Sequence, residues 1–472
     1  MSDYGSTRKR LSKAEQDLLQ THQPGFGTRT KTEVAFNLVN ATVGAGIIGL
    51  PFAMAHMGFF LGIVTSIWVA VACQLGLYML ILAGKETGIY KFAPLVEHVM
   101  GRFGFHILNM MIVLQAGGAC VSYFILIGDT LPLLFDRYLP QFPILSDRTF
   151  VVAIIGTCCI LPLHLRRSIG SLAKWSMISV MCLPIVVFVI ILRAPAYYTA
   201  PPEWTWVGSD ASHALGIVAF SFACSQVAFN NFLTLKDQSP FSWCQSTALA
   251  TGMSWTVSIT FAIVGYTCFG DNVQPNLFMN FDSNDGMINI GRLLLAVTMI
   301  FTIPMGIFPT REAIHKTLGF ETPSKQPNQW QHYTVTLVVF TTIMVLGMTI
   351  KSLGKVYSLA GGLAASTLAY LLPGICYLVT RWKSTDHPYY VTVQSARTIG
   401  NEERYLVIRS SDTIDSNSEV VVDDTSTAVD EELESIPCSA AKSMENPKIG
   451  CMDVVGVLLI LWGFFVMFAA LT

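Results

Sequence analysis

The chain has 472 residues, 52% of them hydrophobic and only 13% charged, with a formal net charge of −2. A soluble chain carries about 25% charged residues, so this composition excludes an ordinary soluble domain, and no nucleic-acid partner is expected. The missing charge is concentrated in stretches of eighteen or more residues, and a helix of about 20 such residues crosses a ~30 Å hydrocarbon core.

In chain order, residues 1–31 form a tail containing the basic, Ser-rich "STRKRLSK". It has no apolar core of its own, so it reads as a disordered cytosolic tail and not as a cleaved signal. Eleven apolar segments follow, spans 1 to 11: 33–56, 58–84, 106–131, 149–165, 172–193, 211–234, 246–269, 288–310, 332–350, 356–380 and 451–471. They predict an all-α polytopic membrane protein, with a ten-helix core at 32–381 and an eleventh helix within 448–472. Between these lies 382–447, which holds 13 of the 31 acidic residues and reads as a solvated, disordered cytosolic loop, either a linker or a site of regulation. With the N-terminus in the cytosol, 23 of the 29 Lys and Arg fall on the cytosolic side. The other side keeps Arg137, Arg148, Arg193, Arg292, Lys351 and Lys355. This bias agrees with the positive-inside rule. Of the eleven cysteines, ten lie in or beside predicted helices, where a thiol behaves as a small apolar group.

Span 1 contains "NATVGAGIIGLP", Asn40 to Pro51, whose Gly44, Gly46 and Gly49 fit G-x-G-x-x-G. A dinucleotide loop needs an acidic residue about 20 positions later. No Asp or Glu occurs between Glu33 and Glu86, so the nucleotide reading fails. Glycines clustered with a proline at mid-membrane depth point instead to a helix that unwinds there, since Gly weakens a helix and Pro removes a donor. Ten helices before the acidic loop suggest five plus five, and inverted-repeat transporters break the first helix of each block around a midplane binding site. Span 6, "HALGIVAFSFACSQVAFNNFLTL", has no mid-span glycine or proline, but it carries Ser221, Cys224, Ser225 and Gln226 in an apolar setting. Polar groups at that depth need partners.

Spans 1 to 10 hold no Asp, Glu, Lys or Arg between their ends, with Asp129 and His213 near the outer surface. Carboxylate proton relays and charged filter rings are therefore not visible. Nor is any nucleophile–base–acid set or metal-ligand spacing, so neither an enzyme nor a cofactor beyond a coupling ion is expected. A small zwitterion suits such a core, its carboxylate on backbone N–H groups at a broken helix and its ammonium on freed carbonyls. The candidate substrate residues are Thr42, Val43, Gly44, Ala45, Gly46, Ser221, Cys224, Ser225 and Gln226. The candidate ion residues are Asn40, Thr298 and Thr302, the two threonines being i, i+4 on span 8. "FTIPMGIFPTREAI" ends span 8, with Pro304 and Pro309 kinking it and Arg311 with Glu312 read as a solvated ion pair at the cytosolic surface.

"FNLVNATVGAGIIGLPFAMAHMGFFLGI", "IPMGIFPTREAI", "SLAGGLAASTLAYLLPGICYL" and "GDTLP" at Gly128–Pro132 together resemble the amino acid/auxin permeases. The branch they resemble is that of the sodium-coupled neutral amino acid transporters and the fungal vacuolar amino acid transporters. The resemblance covers roughly 33–381 and the last helix. It implies an eleven-helix, leucine-transporter-type fold of five plus five inverted helices and one more. It also implies a monomer in the bilayer that moves small neutral amino acids by alternating access with H+ or Na+. Asn40 and a span 8 Thr, Thr302 or Thr298, match positions implicated in the family's sodium site. Many relatives carry Cys-His in span 6 where this chain has Cys224–Ser225, which removes one candidate proton site. The branch favours the vacuolar membrane and leaves the plasma membrane open. A rival reading is an amino acid sensor signalling through 382–447.

Overall fold

A computed structural model describes residues 25, 27–164, 170–198, 204–321, 327–386, 396–399, 402–405 and 450–472. The expected disorder of the tail before residue 25, and of most of 382–447, lies outside the described residues. Within that loop the helix of span 10 runs on to Asp386, and Ala396–Ile399 pairs antiparallel with Glu402–Tyr405.

Each predicted segment coincides with a helix. Eight described helices are long and apolar enough to cross a bilayer, and a bent pair, Lys31–Thr42 with Gly46–Met57, gives a ninth. Arg148–His164 and Gly170–Arg193 supply spans 4 and 5. The helix ends follow elementary capping, in which a short polar side chain satisfies orphan N–H groups. Thr30 and Glu33 form a capping box on span 1, and Asp147, Asp210, Ser239, Asp285 and Ser352 cap spans 4, 6, 7, 8 and 10. The turn between spans 1 and 2 is made at Gly58, whose φ of 92° suits glycine alone. Span 3 belongs to a longer helix, Phe92–Tyr138, that kinks at Gly101 (φ 67°).

The halves of span 1 pack differently. The first, 1a (Lys31–Thr42), lies on span 7. The second, 1b (Leu50–Met57), lies on spans 6 and 7. Span 8 packs chiefly on spans 3 and 5. On the face where span 1 begins, the N-terminal face, Trp243, Phe232, Val34 and Leu38 form one buried cluster. A larger cluster around Phe124, Tyr266, Phe278 and Phe340 fills the rest. Span 10 meets span 6 backbone to backbone: a Cβ on Gly361 would stand 1.8 Å from the Gly216 carbonyl oxygen. All ten described cysteines are free, and only Cys158, Cys159 and Cys451 are exposed.

Backbone pairing also ties the N-terminal segment to the turn between spans 6 and 7. Arg29 N–H donates to the Thr234 carbonyl and Lys236 N–H to the Arg29 carbonyl, both at 2.9 Å. Gly27 allows this approach, since a Cβ there would lie 1.9 Å from the Leu235 oxygen. On the opposite face, Arg292 is buried and donates to the carbonyls of Phe278 and Phe281, both at 2.8 Å, and to Asn289 Oδ1 at 2.7 Å. That pins the loop between spans 7 and 8.

Candidate functional site

Span 1 unwinds where its glycines cluster. Thr42 ends the first helix, Val43 (φ −79°, ψ 75°) and Gly44 (φ −109°, ψ −153°) leave helical geometry, and Ala45–Gly49 forms a 3-10 turn leading into 1b. The two halves meet at 55°. The reason for glycine here is approach, not backbone sign, since none of these three has a positive φ. A Cβ on Gly46 would stand 2.9 Å from Ser221 Oγ and 3.0 Å from Ser221 Cα. One on Gly49 would stand 3.0 Å from the Tyr357 ring, and one on Gly44 would meet the Tyr123 hydroxyl at an ordinary 3.8 Å. The glycine face of the break is therefore shared among spans 6, 10 and 3.

Span 6 breaks too, without glycine or proline. Its first half, 6a (Ala211–Phe222), ends at extended Ala223 (ψ 117°), Ser225–Val227 makes one 3-10 turn, and the second half, 6b, runs Ala228–Thr234. The breaks face one another. Ser221 Oγ lies 3.0 Å from the Gly46 carbonyl oxygen and 2.9 Å from that of Ile217, so its single proton is shared between two acceptors. The Cys224 thiol and Thr42 line one small cavity, and the Thr42 hydroxyl donates to the Leu38 carbonyl at 2.8 Å. The cavity holds about 10 Å³ and is lined also by Cys73, Thr251 and Ser254, among others. That volume is close to the minimum for one water. Ser254 Oγ is buried there with no partner among the described residues.

Thr42, Gly46, Ser221 and Cys224 are thus gathered at one place. Val43 and Gln226 are half-buried beside them in sequence, Ser225 is buried, and Ala45 sits in the 3-10 turn. Asn40 is exposed on the last turn of 1a. Thr298 and Thr302 lie on span 8, which packs on other spans, and donate back to the carbonyls of Leu294 and Thr298 at 2.8 and 2.7 Å. A hydroxyl that donates this way can still offer its oxygen to a cation. Tyr123, Cys73, Thr251 and Ser254 were not anticipated. Ser254 and Thr251 are polar residues in an apolar stretch and carried a usable signal. Tyr123 carried none, because its place opposite Gly44 depends on how span 3 packs.

One expectation is corrected. Arg311 is not part of a solvated pair with Glu312: it is buried, and Glu312 pairs with Lys316. Asp129 also does more than reach the surface. It accepts from Arg148 at 2.7 Å and from Asn276 at 3.2 Å, joining spans 3 and 4 to the loop after span 7.

The family model described as "Transmembrane amino acid transporter protein" matches residues 27–391. The chain is 31% identical over 369 residues to a putative sodium-coupled neutral amino acid transporter 11 of Bos taurus, covering 77% of this chain and 79% of that one. It is 26% identical over 394 residues to vacuolar amino acid transporter 2 of Saccharomyces cerevisiae, covering 77% and 80%. Among solved structures it is similar to a Na+-coupled sialic acid symporter in a substrate-bound outward-open state, at 12% identity and a TM-score of 0.48 over 77% of this chain and 83% of that one. Multi-pass, helical and broken at two facing points, the chain belongs to the family of transmembrane amino acid transporter proteins and is a transporter, not an enzyme.

Proposed function

We propose that the chain carries small neutral amino acids across its membrane by alternating access, as a monomer in the bilayer and coupled to H+ or Na+. The observation that carries this reading is the pair of facing breaks joined by Ser221 and the Gly46 carbonyl. Two half-helices that end at mid-membrane present opposite dipole ends at one depth. The start of 1b offers N–H groups to a carboxylate, and the ends of 1a and 6a offer carbonyls to an ammonium. Thr42, Val43, Gly44, Ala45, Gly46, Ser221, Cys224, Ser225 and Gln226 would then contact substrate, and no buried ion pair is needed. With Na+ as the coupling ion, Asn40 and Thr302 or Thr298 supply oxygens. With H+, the absence of histidine at Ser225 moves the proton elsewhere. The branch resemblance and the yeast relative's name favour the vacuolar membrane, with the N-terminal face toward the cytosol.

The test is uptake of a labelled amino acid panel by vesicles containing the purified chain, with sodium and pH gradients imposed separately. Saturable flux of neutral amino acids driven by one gradient is expected. No saturable flux for any amino acid would overturn the reading, and binding without flux would turn it toward a sensor.

A further inference from the structure

The end of span 8 on the N-terminal face holds a cluster that the transport reading leaves unused. Arg311 is 6% exposed; His164 of span 4 and His315 of span 8 near it are 3% and 2% exposed, and His332 of span 9, beside His315, is 5% exposed. Arg311 Nη1 donates to the His164 carbonyl and the Thr336 hydroxyl, each at 3.3 Å, and the guanidinium stacks over Phe308. Among the described residues no carboxylate lies within ion-pair distance of it. The His315 and His332 rings are parallel within 8° with centroids 6.1 Å apart. Both ring nitrogens of His315, and Nε2 of His164, are buried without a hydrogen-bond partner among the described residues.

We propose that this cluster is a proton-binding site on the N-terminal face of spans 4, 8 and 9, with His315 taking the proton. Neutral, the His164 and His315 rings lie close to one buried cation, with the His332 ring stacked beside His315. A proton arriving from water at a His315 nitrogen adds a second positive charge one helical turn from Arg311. A buried, unpaired charge is strongly disfavoured. The nearby charged groups do not offset it. Glu312 is engaged by Lys316. Glu321, on the turn after span 8, gives its N–H to the His315 carbonyl at 3.3 Å, and burial, then Glu312, push its carboxyl above the usual range, so it is not a fixed counter-charge at acid pH. His332 and His164 add only further basic nitrogens. The proton is therefore held only when the ends of spans 4, 8 and 9 part and admit water. Acid on this face thus acts as a wedge between span 8 and its neighbours. The proposal stands without the transport reading, because its tests need no substrate.

Two measurements on the purified full-length chain in detergent decide it. The first is thermal unfolding between pH 7.5 and 5.5 for wild type, His315→Gln and His315→Phe, the latter keeping a ring against His332. A proton taken up on opening raises the wild-type unfolding constant about tenfold per pH unit below about 6.5 beyond that of the variants. The second needs no variant. Amide exchange at pH 5.5, corrected for the intrinsic rate, should be faster than at pH 7.5 in peptides covering 160–164, 311–321 and 332–336, and unchanged in 1b and 6a. A folded variant with the wild-type pH slope, or exchange in those peptides that ignores pH, overturns the proposal.

Discussion

Gly46 shows how one missing methyl sets the geometry of the break. Its bare face is turned to Ser221, so what a side chain would displace is span 6. Gly46→Val is expected to reach the membrane yet lose all flux, because a branched side chain cannot fit within 3.0 Å of a backbone atom. Gly46→Ala should retain a small fraction of flux. Adding Ser221→Ala should recover part of the loss, since it removes the Oγ that the new methyl meets first. Equal flux in Gly46→Ala with and without the second change would show that span 6 is not what the glycine accommodates. The sequence made Gly46 a candidate, but it could not say which neighbour required it. A glycine motif records that something comes close, and the identity of that neighbour depends on packing between segments 175 residues apart.

At the scale of elements, the two breaks differ in what produces them. Span 1 unwinds at residues that are poor helix formers, so the break was legible. Span 6 unwinds through Ala223, Cys224 and Ser225, which are not strong breakers, and only its polar residues hinted at the change. There the tertiary setting overrides local preference: Ser221 is held by the Gly46 carbonyl of span 1, and Cys224 lies beside Thr42 of the same span. The near-contact of spans 6 and 10 was not readable, although "AGGLAAS" gave its composition. Gly361→Ala tests that contact. Its methyl would overlap the Gly216 carbonyl, and overpacking of this kind costs about 1–3 kcal/mol. The expected result is a lower melting temperature and poor recovery of folded protein. A wild-type melting temperature would mean that the two backbones separate easily.

At the scale of the whole molecule, the two faces are secured differently. The face opposite the N-terminus is closed by ionic and carbonyl contacts around Arg292, Asp285 and Asp129. Arg292→Ala would leave buried carbonyls without donors, a loss of roughly 1–3 kcal/mol for each such group. Amide exchange should then rise across residues 277–285. Burial works against the Asp285 carboxylate, but hydrogen bonds from Arg193 and Tyr197 hold it below the usual range. A carboxyl lowered by folding contributes stability above its unfolded value of about 3.9 and loses it as pH falls through the folded value. Acid below about pH 4 should therefore loosen this loop in wild type and less so in Asp285→Asn, read by exchange in the same peptides. The overall plan of helical spans was legible because hydropathy is set locally. The buried position of Arg311 was not, because a charge at the end of an apolar run looks the same in sequence whether it faces water or the packed ends of neighbouring spans.

The pairing of Arg29 with Thr234 and Lys236 has a practical meaning. Half-helices 1a and 6b share one tether at their N-terminal-face ends. A change at Gly27 or Arg29 is delivered to both broken spans together. The C-terminal end hangs on span 11, which packs on spans 10, 6 and 2 and carries neither break. A side chain placed at Gly27 would thus shift both half-helices at once, whereas one placed near Thr472 would touch neither.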